Sequence, residues 1–141
     1  MIAKRITDQS ELKSAFNIRR KVFVEEQGVP LADELDKYET SAEHILVYYK
    51  DKPVGTGRLR IIDDVGKLER ICVLADYRKS GLGKIIVHKL EELAYKKGIL
   101  KLKLHGQTQA QEFYQKLGYH KASQVFIEDG IPHLLMVKEL T

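Results

Sequence analysis

"YRKSGLGKII", Tyr77–Ile86, decides how the chain reads. A basic pair runs into two glycines one residue apart, then into an apolar stretch. The phosphate-loop pattern G-x-x-x-x-G-K-[ST] needs Ser or Thr where Ile85 stands, and the dinucleotide pattern G-x-G-x-x-G lacks its third glycine. What remains is a strand "ICVL", a loop "ADYRKS" and glycines in the first turn of an amphipathic helix. A helix start leaves backbone N–H groups without intrahelical partners, and its dipole favours an anion there. Arg78 and Lys79 add positive charge at the rim. Taken alone, the stretch is equally a glycine-assisted turn with solvated basic residues.

Working outward, "LGKIIVHKLEELAYKKG" predicts a helix with Leu82, Ile85, Ile86, Leu90, Leu93 and Ala94 on one face, ended by Gly98. Upstream, "HILVYY", "VGTGRLRII" and "KLERICVL" predict three strands joined by the turns "KDKP" and "DDVG", an antiparallel meander. Before them, "MIAKRI" reads as a strand. Leu12, Ala15, Phe16, Ile18, Arg19, Val22 and Phe23 give a helix from Glu11 to about Gln27, with Thr7, Asp8 and Ser10 as candidate caps. "GVPLADELDKYET" reads as an acidic loop with at most one helical turn. Downstream, "ILKLKLH" is a strand and "TQAQEFYQKLG" a short helix stopped by Gly118. "YHKASQVFIEDG" and "IPHLLMVKEL" are two last strands. A strand–helix–strand crossover after a meander makes the sheet mixed.

The bulk properties narrow the function. A length of 141 residues fits one domain, here residues 1–141. The net charge of +4 suits an anionic small ligand as readily as nucleic acid, but no basic block or aromatic-plus-basic stripe supports nucleic acid. Cys72 is the lone cysteine, so no internal disulfide forms, and a reducing, cytoplasmic setting is expected. The N-terminus has no apolar leader, and no run of about 18 apolar residues would span a membrane. The histidines lack ligand spacing with Cys or acid pairs, so no metal is expected.

Arg78, Lys79, Ser80, Gly81, Leu82 and Gly83 after a strand holding Val73 resemble motif A, [RQ]-x-x-G-x-[GA], of the GNAT acyl-CoA-dependent N-acyltransferases. "FYQKLGY", Phe113–Tyr119, resembles their motif B. Ala75 stands where many members have Pro. "VFVEEQGVP" and "DGIPHLLM" are similar to an ElaA-like or YjcF-like bacterial subgroup. The resemblance implies an α+β fold: a mixed, mostly antiparallel, splayed sheet of six to seven strands flanked by about four helices. It implies transfer of an acetyl group from acetyl-CoA to a primary amine in a ternary complex. Coenzyme A would lie on the backbone from Arg78 through Lys84 and beside Ile71 and Val73. The acceptor would be a small amine, and a homodimer is compatible with the family. A non-catalytic acyl-CoA sensor is the alternative.

An alkyl ammonium near pKa 10.4 must lose a proton before it attacks a thioester. His133, in a Pro-His pair of the last strand, and Glu69 are both candidate bases. Strand alternation puts Glu69 on the face of Ile71 and Val73 and turns Cys72 away, into the core. The resemblance makes Tyr114 the proton donor to the departing thiolate; packing in the core is its other reading. Arg19, Arg58, Arg60 and Arg70 are candidate anchors for a substrate carboxylate or phosphate. Gln107, Gln109 and Gln111 are candidates for positioning.

Overall fold

Asp8 is the cap that starts the first helix: its carboxylate accepts from the amide of Glu11 at 2.8 Å. In the computed structural model, which describes residues 2–140, that helix, α1, spans Gln9–Arg19. The expected continuation to Gln27 is present but is not α-helical. Arg20–Glu26 winds as a π-helix, with Gln27 N–H reaching back five residues to Val22 O at 3.2 Å. The acidic loop contains the single helical turn α2, Leu31–Glu34.

The strands are β1 Ile2–Arg5, β2 Glu43–Tyr49, β3 Lys52–Ile62 and β4 Val65–Val73, then β5 Lys101–Gln107, β6 His120–Lys121, β7 Phe126–Glu128 and β8 Ile131–Glu139. The remaining helices are α3 Leu82–Lys96 and α4 Gln111–Lys116. Two-residue turns at Lys50–Asp51, Asp63–Asp64 and Asp129–Gly130 all take positive φ, the conformation that matches the twist of a hairpin. The first is tighter than expected, because Lys52 and Pro53 already belong to β3. The sheet has eight strands in the order β1-β2-β3-β4-β5-β8-β6, with β7 also on β8. The count exceeds six to seven because the strand expected from Tyr119 breaks into β6 and β7. Both pair with β8, one at Val137 and Met136, the other from His133 to Ile131.

Among the described residues only β4 and β5 run parallel, and only from Val65–Leu68 against Lys101–Leu104. Beyond Leu68 the two strands part. The cause lies on the other edge of β4. Thr56 pairs with Cys72 but Arg58 with Glu69, so β4 has one more residue than β3 across this interval. Arg70 takes φ 54° there, as a bulge residue does. The bulge also reverses the facing of the strand. Leu68, Ile71 and Val73 pack with the cluster built on α3, whereas Cys72 joins Ala15, Ile18, Val22 and Leu46 under α1. Glu69 therefore does not share the face of Ile71 and Val73 as alternation had suggested. Cys72 is buried in packing as expected.

Glu69 faces a layer of charge beneath the N-terminal segment. Arg19 and Arg58, each 1% exposed, hold the α2 region against the sheet. Arg19 donates to Glu34 at 2.6 Å and to Glu39 at 2.7 and 2.9 Å. Arg58 donates to Asp36 at 2.8 and 2.9 Å and to Glu69 at 2.7 Å. Removing one member of a buried pair leaves its partner charged without compensation. Arg19→Ala should destabilise the chain by about 3–5 kcal/mol, read from urea unfolding; a loss under about 1 kcal/mol would mean the layer is solvated.

Candidate active site

The parted strands open a groove of about 420 Å³. Its walls come from the π-helical segment (Val22, Phe23), from β4 (Lys67 to Val73), from β5 (Leu104, His105, Gln107), from Tyr114 and from the last hairpin (Glu128, Ile131, His133). At its mouth lies Arg78, from which the loop into α3 runs on.

That loop was read as an anion cradle, and its backbone fits one. Among the described residues, the amides from Lys79 through Lys84 donate no hydrogen bond; the first to do so is Ile85, to Gly81 O at 3.3 Å. Gly81 caps the helix at φ 82°, a conformation that strains any residue with a Cβ. Lys79 also has positive φ, 66°. Gly83 lies against the Phe113 ring. Arg78 is not a free rim charge. It pairs with Glu26 at 2.8 and 2.9 Å and donates from Nε to Val73 O at 3.0 Å, tying the loop to the end of the π-helix and to β4. Ser80 Oγ turns back to Tyr77 O.

Leu74 N–H donates to Val54 O at 2.9 Å, so alternation along β4 directs the backbone groups of Ile71 and Val73 the other way, toward the parted β5. The Val73 carbonyl is occupied by Arg78, which leaves its N–H and both groups of Ile71 on the groove side.

Tyr114 is 8% exposed, wedged edge-on between Phe113 and Tyr119 with ring centroids at 5.0 and 6.0 Å. A Cβ on Gly106 would come within 3.2 Å of its ring, so glycine at that point of β5 is what lets Tyr114 reach the groove. Its hydroxyl has no hydrogen-bond partner among the described residues, and burial pushes its acidity down, keeping it protonated.

The two candidate bases sit in opposite environments. For Glu69, burial alone would raise the pKa. The hydrogen bond from Arg60 and the charges of Arg58 and Lys67 outweigh it and hold the carboxyl at about 2, from a usual 4.5. Its partners lie at 2.7–3.1 Å. His133, 7% exposed, donates from Nδ1 to Ile131 O at 2.7 Å and turns Nε2 toward Glu128. Of the candidate anchors, Arg19, Arg58 and Arg60 are committed to ion pairs; Arg70 lines the groove while donating to Glu34 O at 3.2 Å. Gln107 lines the groove and meets Gln27 across it at 2.9 Å. Gln109 reaches Gln107, and Gln111 opens α4. Glu128 and His105, joined at 2.8 Å, went unremarked in the sequence.

Residues 3–140 match the model of the acetyltransferase (GNAT) domain. The chain belongs to the GNAT acetyltransferase family. It is 59% identical to the protein YyaT of Bacillus subtilis (strain 168) over 100% of its own length and 97% of that protein's. It is 49% identical to the N-acetyltransferase YjcF of the same organism, covering 94% and 95% of the two chains. The structure of Escherichia coli ElaA superposes with a TM-score of 0.87 at 27% identity, over 98% of this chain and 99% of that one. Other solved GNAT folds that superpose on this one were crystallised with coenzyme A. The chain is therefore an acyltransferase of the GNAT type, in the YjcF- and ElaA-like group its motifs had indicated.

The depressed pKa of Glu69 makes a prediction about acid stability. A carboxyl whose pKa falls on folding contributes fully above its unfolded value and loses that contribution as pH drops through the folded one. Stability should fall as pH is lowered from 4.5 to about 2. Glu69→Gln should flatten that slope in urea titrations at several pH values; an unchanged slope would assign acid sensitivity to other carboxyls.

Proposed function

We propose that the chain moves an acetyl group from acetyl-CoA to the primary amine of a small molecule, by direct attack within a ternary complex. The observation that carries this reading is the row of undonated amides from Lys79 to Lys84, at the mouth of a groove that ends at Tyr114 and His133. Those amides suit the pyrophosphate of coenzyme A, with Lys79 and Lys84 close by in charge. The free backbone groups of Ile71 and Val73 suit the amides of the pantetheine arm, in the manner of an added strand. Bound in this way, acetyl-CoA supplies an activated acyl group at the inner end.

The chain's own groups then divide the work. Tyr114 keeps its proton until a thiolate needs it, because its phenol is buried and unpartnered. His133 is the better base of the two candidates. Its Nδ1–H is fixed on Ile131 O, which leaves the Nε2 lone pair to take a proton. Glu69, ion-paired to Arg58, Arg60 and Lys67, has little affinity for one. The Val73 N–H, aimed into the groove, suits the oxyanion that forms on the thioester carbon.

Calorimetry with coenzyme A tests the cradle. Gly81→Asp introduces a like charge and a Cβ at positive φ, and should abolish measurable binding while the circular dichroism spectrum is kept. Full affinity in the folded variant would refute the cradle. Thiol release from acetyl-CoA over a panel of primary amines tests turnover; tight coenzyme A binding with no amine turned over would support the sensor reading instead.

With an accepted amine in hand, Tyr114→Phe and His133→Ala should each lower kcat by about 10²–10⁴-fold with coenzyme A affinity retained. An unchanged kcat at saturation in either variant would return that residue to packing.

A further inference from the structure

Beside β8, Nε2 of His133 and a carboxylate oxygen of Glu128 face each other across the groove wall. His133 has spent its Nδ1–H on Ile131 O, so in the neutral ring Nε2 offers only a lone pair. That nitrogen lies 3.8 Å from Oε2 of Glu128, too far for a direct hydrogen bond. The other carboxylate oxygen, Oε1, is taken by His105 Nδ1 at 2.8 Å. Among the described residues, Oε2 accepts no hydrogen bond.

Both groups are held in place. Phe126 stacks on the His133 ring at 6.0 Å and 21°, and meets His105 edge-on at 5.0 Å. The register sets them on one face: Phe126 and Gln107 both pair with His133, and His105 lies two residues before Gln107. The hydrogen bond from His105 is the main cause that holds the Glu128 carboxyl below its ordinary range, so it stays charged. The other charged groups lining this part of the groove are Asp33 and Glu34 from α2, Lys67, Glu69 and Arg70 from β4, and Asp129 from the hairpin turn. Lys67 and Glu69 pair with each other, and Arg70 leans on Glu34 and Asp36. Asp33 and Asp129 have no ion-pair partner among the described residues.

A gap between a carboxylate oxygen and an imidazole lone pair suits a group that donates twice, and the carboxylate's charge favours a cation over a neutral donor such as water. We infer that Glu128 Oε2 and His133 Nε2 together seat the ammonium head of the acceptor, which makes Glu128 a substrate-binding residue and the acceptor an aliphatic primary amine charged at neutral pH. This rests on the acetyl transfer proposed above. One N–H of the ammonium donates to Oε2 and a second to Nε2. The second N–H bond breaks as the Nε2–H bond forms, and its electron pair stays on the amine nitrogen, which is then neutral and able to attack. The positive charge has moved from the amine to the imidazole, and the Glu128 carboxylate faces it in both states. An alcohol of the same size would bring one hydrogen and no charge, and would be held far less well.

The test separates the seat from acetyl transfer. In protein labelled with ¹⁵N-histidine, ethylammonium chloride should shift the His133 Nε2 resonance saturably, and ethanol at equal concentration should not. Glu128→Gln should weaken the ethylammonium response by about 10- to 100-fold, the range of a lost hydrogen bond to a charged group. It should raise KM for an accepted amine by a similar factor while coenzyme A affinity is unchanged. Glu128→Asp, which keeps the charge, should recover part of the response. An equal response to ethanol, no response of His133 to ethylammonium, or an unaltered KM in folded Glu128→Gln would overturn the seat. None of these results would touch coenzyme A binding, whereas failure of the wild-type chain to bind coenzyme A would overturn the transfer reading and leave the ammonium titration to stand by itself.

Discussion

One extra residue in β4 governs the groove. Had β4 stayed in register with β3, its outer edge would pair with β5 along its whole length and the sheet would be closed. The bulge at Arg70 bends the strand, so parallel pairing stops at Leu68. Several features of the groove follow from that interruption. It opens the groove, it turns Ile71 and Val73 into a backbone edge with unpaired groups, and it sends Glu69 and Cys72 to the opposite face. A bulge leaves a sheet with unsatisfied N–H and C=O groups. Here those groups border the groove.

The buried ions around Arg19 and Arg58 serve the same site from behind. An acidic segment with little secondary structure of its own, Leu31–Thr40, needs to be held over the sheet. Its carboxylates supply the means, because each arginine binds two or more of them. Such a layer contributes less net stability than an apolar core of the same size, since every charge must be desolvated. It does fix one arrangement of the segment, and Glu69 is drawn into that arrangement through its pair with Arg58.

The turn at Arg78–Lys84, the helix α3, the start of α1 and the succession of elements along the chain were legible in the sequence because each depends on local rules: glycine at positive φ, apolar periodicity, two-residue turns. The phase of β4 was not legible. Arg70 is an unremarkable residue for a bulge, and its left-handed backbone is imposed by pairing with β3, which lies elsewhere in the chain. The four arginines looked alike in sequence. Only burial and partner geometry separate Arg19 and Arg58, which brace the fold, from Arg70, which borders the groove. The pairing of His105 with Glu128 was hidden for a similar reason: the two residues meet only after β5, β7 and β8 have assembled. Tyr114 and His133 were candidates from the sequence, and both line the groove together with Arg78 at the start of the glycine loop.

The single thiol of the chain is placed where that geometry can be read in time as well as in space. Cys72 lines the groove yet is buried, and burial pushes its thiol well above the ordinary range, so in the closed protein it is protonated and unreactive. Its reaction with an alkylating reagent must wait for β4 to lift from the helices packed on it. The rate of that reaction therefore counts local openings of the strand that carries the bulge. Because no other cysteine competes for the reagent, the chain contains its own reporter of how often the groove breathes.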